Sequence, residues 1–248
     1  MTSLLPFPEL LDLIAERSAA LRQAVTAGDT AARVPGCPDW SLRDLVAHLG
    51  AVQRWWAHVV TAGPTDGRPP GFTAGDPAGD LLTWSAESTA ALIDALRVAG
   101  PDRDCWTWWG ASEAPMTSGA VARHQVQEAA VHAWDAQETV GKPEPIPAAV
   151  AVDTIDEMLV VTLGSLGAWP HRPARIALSA VEGPTWLVDL TPTGARSGPA
   201  AGGEPLATLR GSASDLVLAL YTRIPLDRVE VDGDRDAVEE FLAWTDTE

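Results

Sequence analysis

The sequence predicts an α+β protein, with an N-terminal four-helix bundle over residues 1–145 and a smaller C-terminal α+β domain over residues 146–248. Three observations lead to this prediction. The first 140 or so residues contain four long stretches in which apolar residues recur at helical spacing. A proline-rich linker, Pro145–Pro147, follows them. Beyond the linker, short segments alternate between apolar and polar residues or are continuously apolar, which is typical of strands.

The bundle helices are bounded by recognisable start and stop signals. Ser41 is a predicted N-cap with Asp44 three residues later, which approximates a capping box. Gly28 and Gly141 follow two apolar-periodic stretches and mark helix ends. A turn-rich loop is expected over residues 34–40, where proline and glycine cluster. The four predicted helices are Pro8–Ala27, Leu42–Thr61, Asp80–Ala99 and Thr117–Val140.

The C-terminal part mixes helix and strand patterns. A turn at Gly183-Pro184 separates the two most apolar strand segments, as expected for an antiparallel pair. The predicted helices are Ala148–Gly164, Ser212–Thr222 and Asp236–Trp244, and the predicted strands are Arg175–Ser179, Trp186–Leu190 and Leu206–Arg210.

Composition excludes several classes of protein. With 248 residues, 46% of them hydrophobic, the chain is long enough to bury a sizeable core. No run of about eighteen apolar residues predicts a transmembrane helix. The N-terminus lacks the basic region of a secretory signal. Cys37 and Cys105 are too few for a disulfide framework. We therefore expect a cytoplasmic protein.

The charge of the chain excludes nucleic acid as a partner. The formal net charge is −17 at pH 7, and Lys142 is the single lysine. Nucleic-acid binding requires a basic patch that displaces counterions from phosphates, whereas the arginines of this chain are scattered. A small molecule is the expected partner.

The segment from His124 to Asp135, HQVQEAAVHAWD, carries the clearest chemical pattern. Gln125, Glu128, His132 and Asp135 follow one another at spacings of three, four and three, which places them on one stripe of a helix. A carboxylate and an imidazole one turn apart can bind the same metal ion. The alternative interpretation is an exposed charged face.

His48 is the candidate third ligand. It lies three residues after Leu45 and four before Val52, so it faces the interior of the bundle. Bundle cores build metal sites from side chains on facing helices, so that His48 can meet Glu128 and His132. The alternative is a neutral core imidazole. Two imidazoles and one carboxylate leave an open coordination position, which is the pattern of a catalytic site, but they do not fix the metal.

These motifs resemble those of the DinB-like, mycothiol-dependent maleylpyruvate isomerase family. The stretch VPGCPDWSLRDLVAHLGAVQRWW resembles the second helix of that family, and QEAAVHAWDA is similar to its HETAVHRWDA segment. The stretch LRGSASDLVLALYTRIPLDRVEVDGD resembles its second, sterol-carrier-protein-like domain. The resemblance covers nearly the whole chain in the right order.

The resemblance implies a metal site and a thiol cosubstrate. It places the divalent metal, most often zinc, on His48, Glu128 and His132, and it implies mycothiol as the thiol. The chain departs from the family at three positions beside the site, so the substrate is left open. Gln127 stands where the family often has His, and Ala129 and Ala133 replace the usual Thr and Arg.

A metal that deprotonates a bound thiol supplies a nucleophile for a small electrophile. We therefore expect a metal- and mycothiol-dependent transferase or isomerase. The alternatives are a metal hydrolase, in which hydroxide takes the open position, and a non-catalytic small-molecule-binding protein. Arg223 is the candidate catalytic cation for developing negative charge, with Arg210 in reserve. Arg223 can also be a surface residue that caps the preceding helix.

The remaining polar and aromatic residues near the motif are assigned less specifically. Gln125 and Asp135 are candidates to orient a ligand imidazole, although Asp135 can equally pair with an arginine. We interpret Cys37 as a small buried residue. The tryptophan-rich segment from Cys105 to Met116 is either a wall over the site or a packed crossover.

Overall fold

The computed structural model of the chain describes residues 5–26, 28–77, 79–198 and 203–245. They form two compact units. The first unit contains residues 5–108 and 115–144, and the second contains Trp109–Ala114 together with the chain from Pro145 onward. The division into domains 1–145 and 146–248 stays a prediction, because a domain is a part of the chain that can fold independently of the rest.

The first unit is helical, as predicted. Its helices are α1 (Phe7–Thr26), α2 (Leu42–Ala62), α3 (Leu81–Ala99) and α4 (Ser118–Thr139). Ala27, the predicted end of the first helix, lies outside the described residues. Helix α1 packs against α4, α2 packs against α3, and α2 also contacts α4. Apolar side chains from all four helices fill the space between them; the largest that are fully buried here are Ile14, Leu21, Leu42, Leu45, Leu49, Leu92 and Leu96.

Side-chain caps fix the start of three of these helices. Ser41 accepts a hydrogen bond from the backbone N–H of Asp44, and the Asp44 carboxylate accepts one from the backbone N–H of Ser41. The predicted capping box at α2 is therefore present. Asp80 caps α3, and Thr117 caps α4 in the same way. His48 lies on α2, so the cap that fixes the first residue of this helix also helps to fix the helical position of His48.

The expected loop before α2 is instead a small β-ribbon. Strands β1 (Arg33–Val34) and β2 (Cys37–Ser41) pair antiparallel around the Pro35-Gly36 turn. The loop prediction was wrong because proline and glycine mark the turn but not the pairing of the residues beside it. The ribbon matters because it fixes the positions of Cys37 and Trp40.

The second unit contains a five-stranded mixed sheet with helices. Its elements are α5 (Ala148–Val160), α6 (Thr162–Ser165), β3 (Ala174–Ala180), β4 (Thr185–Thr191), β5 (Gly194–Gly198), β6 (Ala207–Gly211), α7 (Ala213–Leu220), β7 (Glu230–Gly233) and α8 (Arg235–Thr245). The strand order is β5-β4-β3-β6-β7, and all neighbouring pairs are antiparallel except β3 and β6. Helix α7 contacts β3 and β6, and α8 contacts β6.

The three strands predicted from sequence lie at the centre of this sheet, and the two that were not predicted, β5 and β7, lie at its edges. The predicted helix Ala148–Gly164 is interrupted, so that α5 and α6 are separate elements. Together the two units confirm the α+β fold class. Among the described residues, no helix is both long and apolar enough to cross a membrane.

Candidate metal centre

His48, Glu128 and His132 meet between α2 and α4. The Nε2 atom of His48 lies 3.1 Å from Oε1 of Glu128, and Nε2 of His132 lies 3.5 Å from the same oxygen. The two imidazole rings have centroids 5.1 Å apart and stand edge to face. One potential ligand atom from each of the three residues lies within 4.8 Å of the other two. We call these three residues the triad.

The triad is partly open to solvent on one side. His132 is almost completely buried, whereas the side chains of His48 and Glu128 keep 33% and 18% of their surface exposed. The stripe on α4 is therefore not an exposed charged face, since Gln125, His132 and Asp135 are all buried. A site with a buried wall and an accessible side admits a small ligand.

Asp135 accepts a hydrogen bond at the Nδ1 edge of the His132 ring. Its Oδ2 atom lies 2.9 Å from Nδ1 of His132, and Asp135 itself is fully buried. Because a carboxylate only accepts hydrogen bonds, Nδ1 carries the proton in this contact. The lone pair of a neutral His132 is therefore on Nε2, which faces Glu128. Of the two roles considered for Asp135, the structure shows the contact with the candidate ligand imidazole.

Cys37 joins this contact from the β-ribbon. Its thiol donates to Oδ2 of Asp135 over 3.9 Å, although the two residues are 98 positions apart in the chain. Cys37 is buried, as expected, but its link to Asp135 was missed because only the tertiary fold brings the ribbon to α4. Potential ligand atoms of Cys37, His132 and Asp135 also lie within 4.8 Å of one another.

The pKa values of Glu128 and His132 are shifted by their neighbours. Burial alone would raise the pKa of Glu128, but hydrogen bonds from His132 and His48 outweigh burial and hold that pKa well below its usual range. Burial alone would lower the pKa of His132, but Asp135 and Glu128 on two sides raise it to about 9. A cation that binds here at neutral pH would therefore have to displace a proton from His132.

Tryptophan rings contact the triad imidazoles and His124. The half-buried ring of Trp40 lies 4.5 Å from His48 and 6.1 Å from His132, measured between centroids. Toward the start of α4, the His124 ring contacts Trp56 at 5.9 Å and Trp108 at 5.8 Å. Of the tryptophan-rich segment, Trp108 is 45% exposed while Trp109 is buried. Trp40 was not predicted as a site residue, because a tryptophan before a helix carries no signal of the face it covers.

Arg223, the predicted catalytic cation, lies in the second unit just beyond α7. Its backbone N–H donates to the carbonyl of Leu218, and its guanidinium donates to the carbonyl of Tyr221 over 2.8 Å. These bonds satisfy carbonyls at the C-terminus of α7, as the capping interpretation expects. Arg210, the reserve candidate, is exposed on β6 and donates to Ser179. The catalytic role of Arg223 stays a prediction.

Comparisons with known proteins show the family and the fold of the chain. Residues 11–137 match a family model described as the mycothiol maleylpyruvate isomerase N-terminal domain, and residues 149–240 match one described as the MDMPI C-terminal domain. No curated protein matches the chain in sequence.

Two crystal structures share the fold. A crystal structure of the mycothiol-dependent maleylpyruvate isomerase has a TM-score of 0.62 at 18% identity, and a histidine-to-alanine mutant of that enzyme has a TM-score of 0.63 at 16% identity. In both comparisons the similarity covers 92% of this chain and 93% of the other.

Proposed function

The chain belongs to the mycothiol maleylpyruvate isomerase family, and we propose that it is a metal- and mycothiol-dependent isomerase or transferase acting on a small electrophile. The observation that carries the proposal is the convergence of His48, Glu128 and His132. Family membership supports an isomerase-like enzyme that uses a thiol. The triad supports the metal.

The side chains present fit a divalent cation. His48 and His132 each offer Nε2 and Glu128 offers Oε1, and these atoms already converge. Two imidazoles and one carboxylate are the ligand set of several catalytic zinc sites, in which the fourth position is left to water or substrate. Such a set also binds other divalent metals. We propose zinc because this ligand set is common in catalytic zinc sites.

A bound cation would lower the pKa of the thiol, so that the thiol would react as thiolate at neutral pH. The residues of the chain provide the surroundings. Asp135 keeps the proton on Nδ1 of His132 and leaves Nε2 as the donor atom. The Trp40 ring, which lies tilted against both imidazoles, reduces the access of water to one side of the site.

We propose that the thiolate sulfur adds to an electrophilic carbon of the substrate. The new carbon–sulfur bond forms as the carbon–carbon double bond opens to a single bond, which can then rotate. Expulsion of the thiolate restores the double bond in the other geometry and gives isomerisation. If the adduct takes up a proton instead, the product is an S-conjugate. We propose that Arg223 stabilises the negative charge that develops on the substrate.

Thiol binding to cobalt-substituted protein tests the proposal. Sulfur is the softer ligand and should enter the cation's open position, so saturating mycothiol should add a sulfur-to-cobalt charge-transfer band. An alcohol of similar shape is the control and should add no such band. A spectrum that saturating mycothiol leaves unchanged would contradict the thiol-dependent function and would favour a hydrolase.

A further inference from the structure

Gln125 is a buried amide that makes no hydrogen bond to any of the described residues. It is fully buried on α4, and within the described part of the chain neither its Oε1 nor its Nε2 atom makes a hydrogen bond. Buried polar groups are nearly always hydrogen-bonded, and each exception requires an explanation. Gln125 lies three residues before Glu128, so the two side chains are neighbours on the same face of the helix.

A second buried glutamine shows how this bundle normally satisfies an amide. Gln53 on α2 is equally buried, and its Nε2 atom donates to the hydroxyl of Ser18 over 2.8 Å. Its Oε1 atom accepts from the hydroxyl of Thr89 over 2.9 Å. A buried amide without a hydrogen bond lowers the equilibrium constant for folding by roughly tenfold or more. An apolar side chain of similar size at position 125 would avoid this loss of stability. The amide at this position therefore points to a ligand.

We propose that Gln125 binds the amide group of a cysteine-derived thiol whose sulfur occupies the triad. This inference rests on the proposed function and deepens it. A glutamine side chain presents one acceptor and one donor group side by side, which matches the N–H and C=O of another amide. Because no hydrogen bond of the described residues holds it, the Gln125 amide can turn toward the triad without breaking one.

The spacing of Gln125 and the triad suits such a ligand. Side chains three residues apart on a helix are separated by about 5–6 Å at their β-carbons. In a cysteine derivative, three covalent bonds separate the sulfur from the amide carbon, a span of roughly 4 Å. One small molecule can therefore reach the open side of the triad with its sulfur and Gln125 with its amide. A simple thiol without an amide reaches only the triad.

The test compares two neutral thiols on the cobalt-substituted protein. N-acetylcysteine amide carries amide groups, whereas 2-mercaptoethanol carries none. We expect the wild-type protein to bind the first roughly tenfold more tightly, as expected for one or two added hydrogen bonds. In Gln125→Met, affinity for N-acetylcysteine amide should fall by about tenfold, while affinity for 2-mercaptoethanol and the cobalt content stay unchanged.

Thermal melting with Gln53→Met as the matched control separates a ligand-binding role from a structural one. Gln53→Met leaves the hydroxyls of Ser18 and Thr89 without that amide, so its melting temperature should fall while its preference between the thiols persists. Gln125→Met should melt at the wild-type temperature or about 2–4 °C higher.

Three results would overturn the inference: a melting temperature of Gln125→Met lowered as in Gln53→Met, an equal loss of affinity for both thiols, or an unchanged preference in Gln125→Met. Failure of the wild-type protein to bind either thiol would overturn the proposed function itself, and this inference with it.

Discussion

Replacing Asp135 by Asn should weaken metal binding without removing a metal ligand. Asp135 is fully buried, and its Oδ2 atom contacts Nδ1 of His132 at 2.9 Å and the thiol of Cys37 at 3.9 Å. Asparagine keeps the shape of the side chain and removes its negative charge. The charge-assisted hydrogen bond that fixes the ring and the tautomer of His132 is thereby lost.

The size of the effect follows from the position of Asp135. A carboxylate that orients a ligand histidine typically contributes ten- to a hundredfold to metal affinity, which corresponds to about 1.4–2.8 kcal/mol. Full burial of the contact excludes water from replacing the carboxylate, so the loss should lie toward the upper part of that range. Loss of the negative charge also removes one of the two groups that raise the pKa of His132, which makes the proton easier for the cation to displace and offsets part of this loss.

A competition titration against a chromophoric chelator measures this affinity directly. Asp94→Asn is a suitable control, because Asp94 is an exposed carboxylate on α3 that contacts Arg97. The control should bind the metal as tightly as the wild-type protein. Equal affinities for Asp135→Asn and Asp94→Asn would refute the assigned role of Asp135.

Three further predictions concern single groups. His132 in the folded metal-free protein has a pKa of about 9, above its ordinary 6.5. Its bound proton therefore adds stability that is complete below about pH 6.5 and is lost as the pH rises through about 9. Chelator-treated protein should melt at progressively lower temperature across that range, and His132→Gln should remove this trend; a trend that persists in His132→Gln would contradict it. Burial raises the pKa of the Cys105 thiol to about 11, so iodoacetamide at pH 8 should label Cys105 only after unfolding, and rapid labelling of folded protein would disprove this. Arg223→Ala should lower turnover by roughly tenfold or more with metal content unchanged, as for loss of one group that stabilises developing charge. Turnover at the wild-type level would leave Arg223 as a cap of α7.

The helical periodicity of the sequence explains why the three triad residues could be predicted. Glu128 and His132 lie on one helix, so a local rule with a fixed period places them together. The prediction of His48 needed one more step. His48 shares a side of its helix with Leu45 and Val52, and that side was expected to face the bundle interior. The bundle and the central strands follow from the same kind of periodicity, because long amphipathic stretches leave few alternatives.

Contacts that depend on tertiary packing were not predicted. The pairing of β1 with β2 involves few residues around Pro35-Gly36, and the strand β5 contains glycine at both ends, so neither gives a periodic signal. The contact from Cys37 to Asp135 spans 98 positions. That no described residue hydrogen-bonds to the amide of Gln125 becomes clear only once the surrounding side chains are placed. These features depend on neighbours that are distant in sequence.

Whether His48, Glu128 and His132 hold one metal ion is tested by the metal content per chain after His48→Ala. His58→Ala is the matched control, since His58 lies on the same helix and contacts the carbonyl of Pro70 instead of the triad. Elemental analysis after dialysis should find about one ion per chain in the wild type and in His58→Ala, and almost none in His48→Ala, because two remaining ligands rarely retain a divalent ion. A full complement of metal in His48→Ala would show that the three residues do not share one ion.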